Sequence, residues 1–120
     1  MNERSPKAAR QQWRRVPLAE IRRVVNQIVA RFDPERVILF GSYASGRPRP
    51  GSDVDLLVVM DTPKPTLEQA GEIHCEVDHR FGLDLIVRTP QQLAERIALG
   101  DFFLREIAQQ GKVVYERPGA

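Results

Sequence analysis

The chain has 120 residues, 42% of them hydrophobic, with 18 Lys+Arg against 16 Asp+Glu and a formal charge of +2. That length allows one domain, since two would each be too small to bury an ordinary core, and the apolar fraction excludes wholesale disorder. No apolar run approaches the ~18–20 residues needed to cross a bilayer, no signal-peptide core follows the N-terminus, and Cys75 has no second cysteine to pair with, so a reducing cytoplasm is the expected address.

The net charge is too small to imply nucleic-acid binding by itself. Its distribution is uneven: Arg4, Lys7, Arg10, Arg14, Arg15, Arg22 and Arg23 lie near the start, with Glu3 and Glu20 against them. The plain reading is a solvated basic tail running into a basic helix face, and the sharper one is contact with an acidic partner or a nucleic acid. Residues 1–15 show no apolar period and read as a flexible tail, with Trp13 the one residue able to anchor it. The expected domain spans 16–116, with 117–120 trailing from it.

Pro17 suits the first turn of a helix in which Leu18, Ile21, Val25, Ile28 and Phe32 recur at three- and four-residue steps. Asp33-Pro34 stops that helix. Val37 to Phe40 is a continuous apolar run ending at Gly41, which reads as a strand buried on both faces. Gly46, Pro48, Pro50 and Gly51 then mark a loop. Val54 to Met60 reads as a second strand, followed by a helix from about Thr66 to Arg80 carrying Leu67, Ala70, Ile73, Val77 and Phe81 on one face. Gly82 breaks it, and Leu83 to Val87 forms a third strand. Thr89-Pro90 opens another helix with an N-cap and a first-turn proline. A last helix carries Phe102 to Gln109, Gly111 ends it, and Val113-Val114-Tyr115 suits an edge strand. The expected class is therefore α+β, a small mixed sheet with helices packed on one side.

The informative stretch is Gly41-Ser42, ten residues, then Asp53-Val54-Asp55. Strand alternation puts Asp53 and Asp55 on one face. Two carboxylates on neighbouring pleats resist joint ionisation unless a cation lies between them, and hard oxygen ligands at that spacing suit Mg²⁺. Glycine at the strand end lets a phosphate approach the backbone, where N–H groups and the Ser42 hydroxyl can donate to it. Asp84, between Leu83 and Leu85, interrupts an apolar strand. It is either a strand-end charge or, if that strand lies beside the second, the third member of a two-metal carboxylate site and a proton acceptor.

Phe40-Gly41-Ser42-Tyr43-Ala44-Ser45-Gly46, followed by Ser52-Asp53-Val54-Asp55-Leu56, resembles the signature of minimal nucleotidyltransferases of the DNA polymerase β superfamily, and residues 18–115 follow that domain's element order. The resemblance implies a nucleotidyltransferase (polymerase β-like) fold that uses ATP and Mg²⁺, two ions expected, to transfer a nucleotidyl group and release pyrophosphate. By position, Gly41 and Ser42 bind the triphosphate, and Asp53, Asp55 and Asp84 are the catalytic, metal-holding triad. Ser45 stands where many relatives carry Arg, so Arg47 or Arg49 is expected to supply that charge. Larger relatives carry extra domains for their acceptor, and this chain's acceptor is expected in trans. Stand-alone members resemble antitoxins that adenylylate a tyrosine of a HEPN ribonuclease toxin. The alternatives are an antitoxin that acts by docking alone, and an enzyme acting on a small molecule or a nucleic-acid end. Neither a membrane nor direct nucleic-acid binding is expected.

Three weaker features complete the reading. His74 and His79 are five apart, so on a continuous helix they would not share a face as a zinc pair would. Leu99, Phe102, Phe103 and Ile107 make a greasy C-terminal patch, read as core packing or as a toxin-docking helix. Tyr43 reads as a loop residue, with stacking on the nucleotide base as the other option.

Overall fold

The computed structural model of the chain describes residues 15–119. The basic positions Arg4 to Arg14, and Trp13, lie outside the described residues. In chain order the elements are α1 (Leu18–Phe32), β1 (Arg36–Phe40), α2 (Ser42–Ser45), β2 (Val54–Val59), α3 (Thr66–Glu76), β3 (Leu83–Arg88), α4 (Pro90–Ala98), α5 (Phe102–Gln110) and β4 (Lys112–Glu116).

The stop signals act as the sequence predicts. Asp33 takes a left-handed conformation (φ 49°) and closes α1 through its N–H to the Val29 carbonyl, ahead of Pro34. Thr89 caps α4 in a reciprocal capping box with Gln92, and Asp101 caps α5 by accepting from the Leu104 N–H at 3.0 Å. Two expectations change. Tyr43, expected in a loop, lies in a full helical turn after Gly41, and α3 ends at Glu76, four residues short of Arg80.

The four strands lie in the order β3-β2-β1-β4, with β2 parallel to β3 and β1 antiparallel to both of its neighbours. This is the expected small mixed sheet of an α+β domain. The placement of helices on one side is corrected, because both faces are covered. Val37, Leu39, Val54, Leu56 and Val58 pack with Ile21, Val24, Val25 and Ile28 of α1 and Ile73 of α3. Ile38, Phe40, Leu57 and Val59 pack with Leu93 of α4 and Leu104 and Ile107 of α5. The physical reason is already in the strands, since runs without a polar alternate would leave one apolar face in water under a one-sided cover. Each such side chain gains about 1.5–3 kcal/mol from burial.

Candidate active site

Gly41 directly follows β1, Asp53 directly precedes β2, and Asp55 and Asp84 are the second residues of β2 and β3. Parallel register sets Asp55 opposite Asp84, so the two share a face, and Asp53, two residues before Asp55, shares it as well. The antiparallel partner of Asp55 on the other side is Phe40. This places the acids on the face covered by α4 and α5, beyond the apolar residues that those helices bury. Asp53 and Asp84 are exposed, and Asp55 is half-buried.

The electrostatics follow from that placement. Burial, then the negative charges of Asp84 and Asp53, push the Asp55 carboxyl up from 3.8 to about 6. Among the described residues, no three His, Cys, Asp or Glu side chains close around a common point as they would around an ion. The donor set nevertheless fits a hard divalent cation, being three carboxylates on one face at an open rim with a charge surplus that a cation would relieve.

Two glycines make room for these acids. Gly41 has φ 74° and ψ −153°, a conformation close to glycine-only, and a Cβ on it would run into the Asp55 carboxylate. Gly82 is subtler. A Cβ there would collide with Asp53 Oδ1, and its carbonyl accepts from the Val54 N–H at 2.9 Å. Sequence reading treated Gly82 as a helix breaker and missed this role; its place two residues before Asp84 was the available signal.

The turn after Gly41 is compact. The Gly41 carbonyl accepts from the N–H groups of Ala44 and Ser45, and the Ser42 carbonyl accepts from the Arg47 N–H at 3.0 Å and from Ser45 Oγ at 3.0 Å. Ser42 is half-buried, whereas Arg47 and Arg49 are exposed in the following loop. Tyr43 is neither a loop residue nor open to stacking. It is buried against α1, and its hydroxyl accepts from the Val16 N–H at 2.9 Å.

A cleft of about 1010 Å³ borders the turn and is lined in part by Phe40, Gly41, Ala44, Ser45, Phe102 and Phe103. Phe103 meets Phe40 edge-on, with ring centres 5.8 Å apart. The greasy C-terminal patch therefore divides. Leu104 and Ile107 are core, Phe102 and Phe103 are 78% and 53% exposed at the cleft, and Leu99 is 85% exposed away from its lining.

Carboxylates at the ends of two adjacent strands thus lie beside the glycine turn that follows β1. The family model of the nucleotidyltransferase domain matches residues 18–115, and the chain belongs to that family. A candidate nucleotidyltransferase from Sulfolobus solfataricus has the same fold, with a TM-score of 0.61 over 95% of this chain and 88% of that one at 17% identity. A mutant of the toxin–antitoxin pair MntA–HpeT aligns with a TM-score of 0.49 over 87% of this chain and 76% of that one at 20% identity, a likeness too slight to bear on function. None of the curated proteins compared matches the chain. Among the described residues, no helix is long and apolar enough to cross a membrane.

Proposed function

We propose that the chain transfers AMP from ATP to a protein acceptor, a tyrosine of a cognate HEPN ribonuclease toxin, and so acts as its antitoxin. The observation that carries nucleotidyl transfer is the placement of Asp53, Asp55 and Asp84 on one face beside the Gly41-Ser42 turn. The protein acceptor is supported by the resemblance to stand-alone nucleotidyltransferases and by the exposed aromatics Phe102 and Phe103, since water-facing aromatics at a cleft beside the Gly41 turn suit a macromolecular partner.

In this reading Gly41 and Ser42 hold the triphosphate, and Arg47 supplies charge from the loop. Asp53, Asp55 and Asp84 would hold Mg²⁺, which supplies neutralisation of the phosphate charge when bound. The tyrosine oxygen bonds to the α-phosphorus while the bond from that phosphorus to the bridging oxygen of the β-phosphate breaks, and pyrophosphate leaves with the electron pair. Asp84, exposed at the start of β3, takes the tyrosine proton.

The same exposed aromatics favour a second reading, in which docking alone blocks the partner. Incubation with labelled ATP, Mg²⁺ and the purified toxin separates the two. Label is expected on the toxin and is lost in Asp53→Ala and Asp55→Ala, while Asp84→Asn keeps nucleotide binding and loses transfer. If the Asp53→Ala and Asp55→Ala chains neutralise the toxin as well as the parent does, docking is the mechanism.

A further inference from the structure

On a continuous helix, His74 and His79 would point to different sides, but the structure breaks that helix between them. Helix α3 ends at Glu76, and Val77 is extended (φ −86°, ψ 144°), so the chain turns back on itself. The two imidazoles then meet with ring centres 4.6 Å apart and planes inclined at 69°. The turn is held from α1. Arg31 Nη1 donates to the Glu76 carbonyl at 2.6 Å, and Gln27 clasps Asp78 by donating from Nε2 to its carbonyl at 3.2 Å and accepting its N–H on Oε1 at 2.8 Å. His79 is oriented by its own Nδ1, which lies 3.0 Å from the Phe81 carbonyl. A carbonyl can only accept, so Nδ1 carries the proton and Nε2 keeps its lone pair. Metal-ligating histidines are set up in this way, with one ring nitrogen tied to a carbonyl and the other left to the ion.

We propose that His74 and His79 form a two-histidine site for a divalent transition ion. A metal–nitrogen bond of about 2.1 Å puts each ring centre roughly 3.2 Å from the ion. Ring centres 4.6 Å apart lie within the span that two imidazoles sharing one ion can bridge. His74 is exposed and His79 half-buried, so the remaining coordination positions face water, and among the described residues no third His, Cys, Asp or Glu joins the pair. The site is separate in chemistry from the carboxylates of the reaction centre, because imidazole nitrogens suit these ions and carboxylate oxygens suit Mg²⁺. It is nonetheless connected to that centre by the chain, since the turn leads through Phe81 to Gly82, which abuts Asp53.

Calorimetric titration of the tag-free chain with Ni²⁺, in excess Mg²⁺ to fill the carboxylate centre, tests the proposal. One ion per chain is expected at micromolar affinity. His74→Ala and His79→Gln should each weaken uptake by roughly tenfold or more, and Gln27→Ala should weaken it by loosening the turn without removing a ligand. Asp55→Asn should leave it unchanged. His74 is exposed, so its alanine variant is expected to melt with the parent and decides the matter even if His79→Gln folds poorly. Uptake that is equal in His74→Ala, or that disappears in Asp55→Asn, overturns the site.

Discussion

Replacing Asp55 by Asn removes a charge at an unfavourable place without changing the side chain's shape. In the folded chain the Asp55 carboxyl titrates at about 6 rather than 3.8, through burial first and the charges of Asp84 and Asp53 second. Between those two pH values the folded state holds a proton that the unfolded state releases. Stability therefore falls as pH rises through that interval, and the full penalty remains above it. An interval of about two pH units corresponds to at most ~3 kcal/mol. Asp55 is only half-buried, and solvent screening reduces this to about 1 kcal/mol. In EDTA at pH 7.5, Asp55→Asn should thus melt about 4 °C above the parent. Below pH 3.8 both states of the parent are protonated, and the two curves should coincide. Adding Mg²⁺ at pH 7.5 should raise the parent's midpoint by ligand linkage and leave the variant's where it was. Thermal unfolding followed by circular dichroism at the two pH values, with and without Mg²⁺, reads all of this. An Asn variant that melts at or below the parent at pH 7.5 in EDTA would refute the charge-crowding account of the site.

The other expectations are shorter. Gly82→Ala puts a methyl group against Asp53 Oδ1, and should lower Mg²⁺–ATP affinity by roughly tenfold while the chain stays folded, as titration with labelled ATP would show. Gly41→Ala meets the Asp55 carboxylate and a left-handed backbone together, so denaturant melts should show a loss of about 1–3 kcal/mol as well as weaker ATP binding. Thr89→Ala removes the α4 capping box at about 1 kcal/mol and should leave transfer untouched, a check that stability and activity separate at this distance. Phe103→Ala removes an exposed ring that meets Phe40 at the cleft; it should slow modification of the protein acceptor while ATP binding is kept, and steady-state kinetics with the acceptor varied would reveal this.

Local sequence carried a large part of the candidate site. Gly41-Ser42 and Asp53-Val54-Asp55 were legible because strand alternation is a property of the backbone, which put both acids on one face before any neighbour was known. The caps at Asp33 and Thr89 were legible for the same reason, since a turn signal acts within a few residues. Asp84 was different. Nothing within its own strand distinguished a strand-end charge from a member of the triad, and only parallel pairing in register with β2 brought it opposite Asp55. Gly82 was read as punctuation because the carboxylate it accommodates comes from a residue far away in the chain.

The sequence by itself determined the strands, the longer helices and which side chains share a strand face, since each depends on backbone geometry and near neighbours, but not the early end of α3 or the helical turn after Gly41. Tertiary structure alone decided the rest. It covered both faces of the sheet because the apolar runs of β1 and β2 had no polar face to offer water. It buried Tyr43 against α1, and it turned the chain back after Glu76 so that His74 faces His79. Those outcomes depend on which distant segments pack together, and packing is set by the whole chain's apolar surface rather than by any short stretch of it.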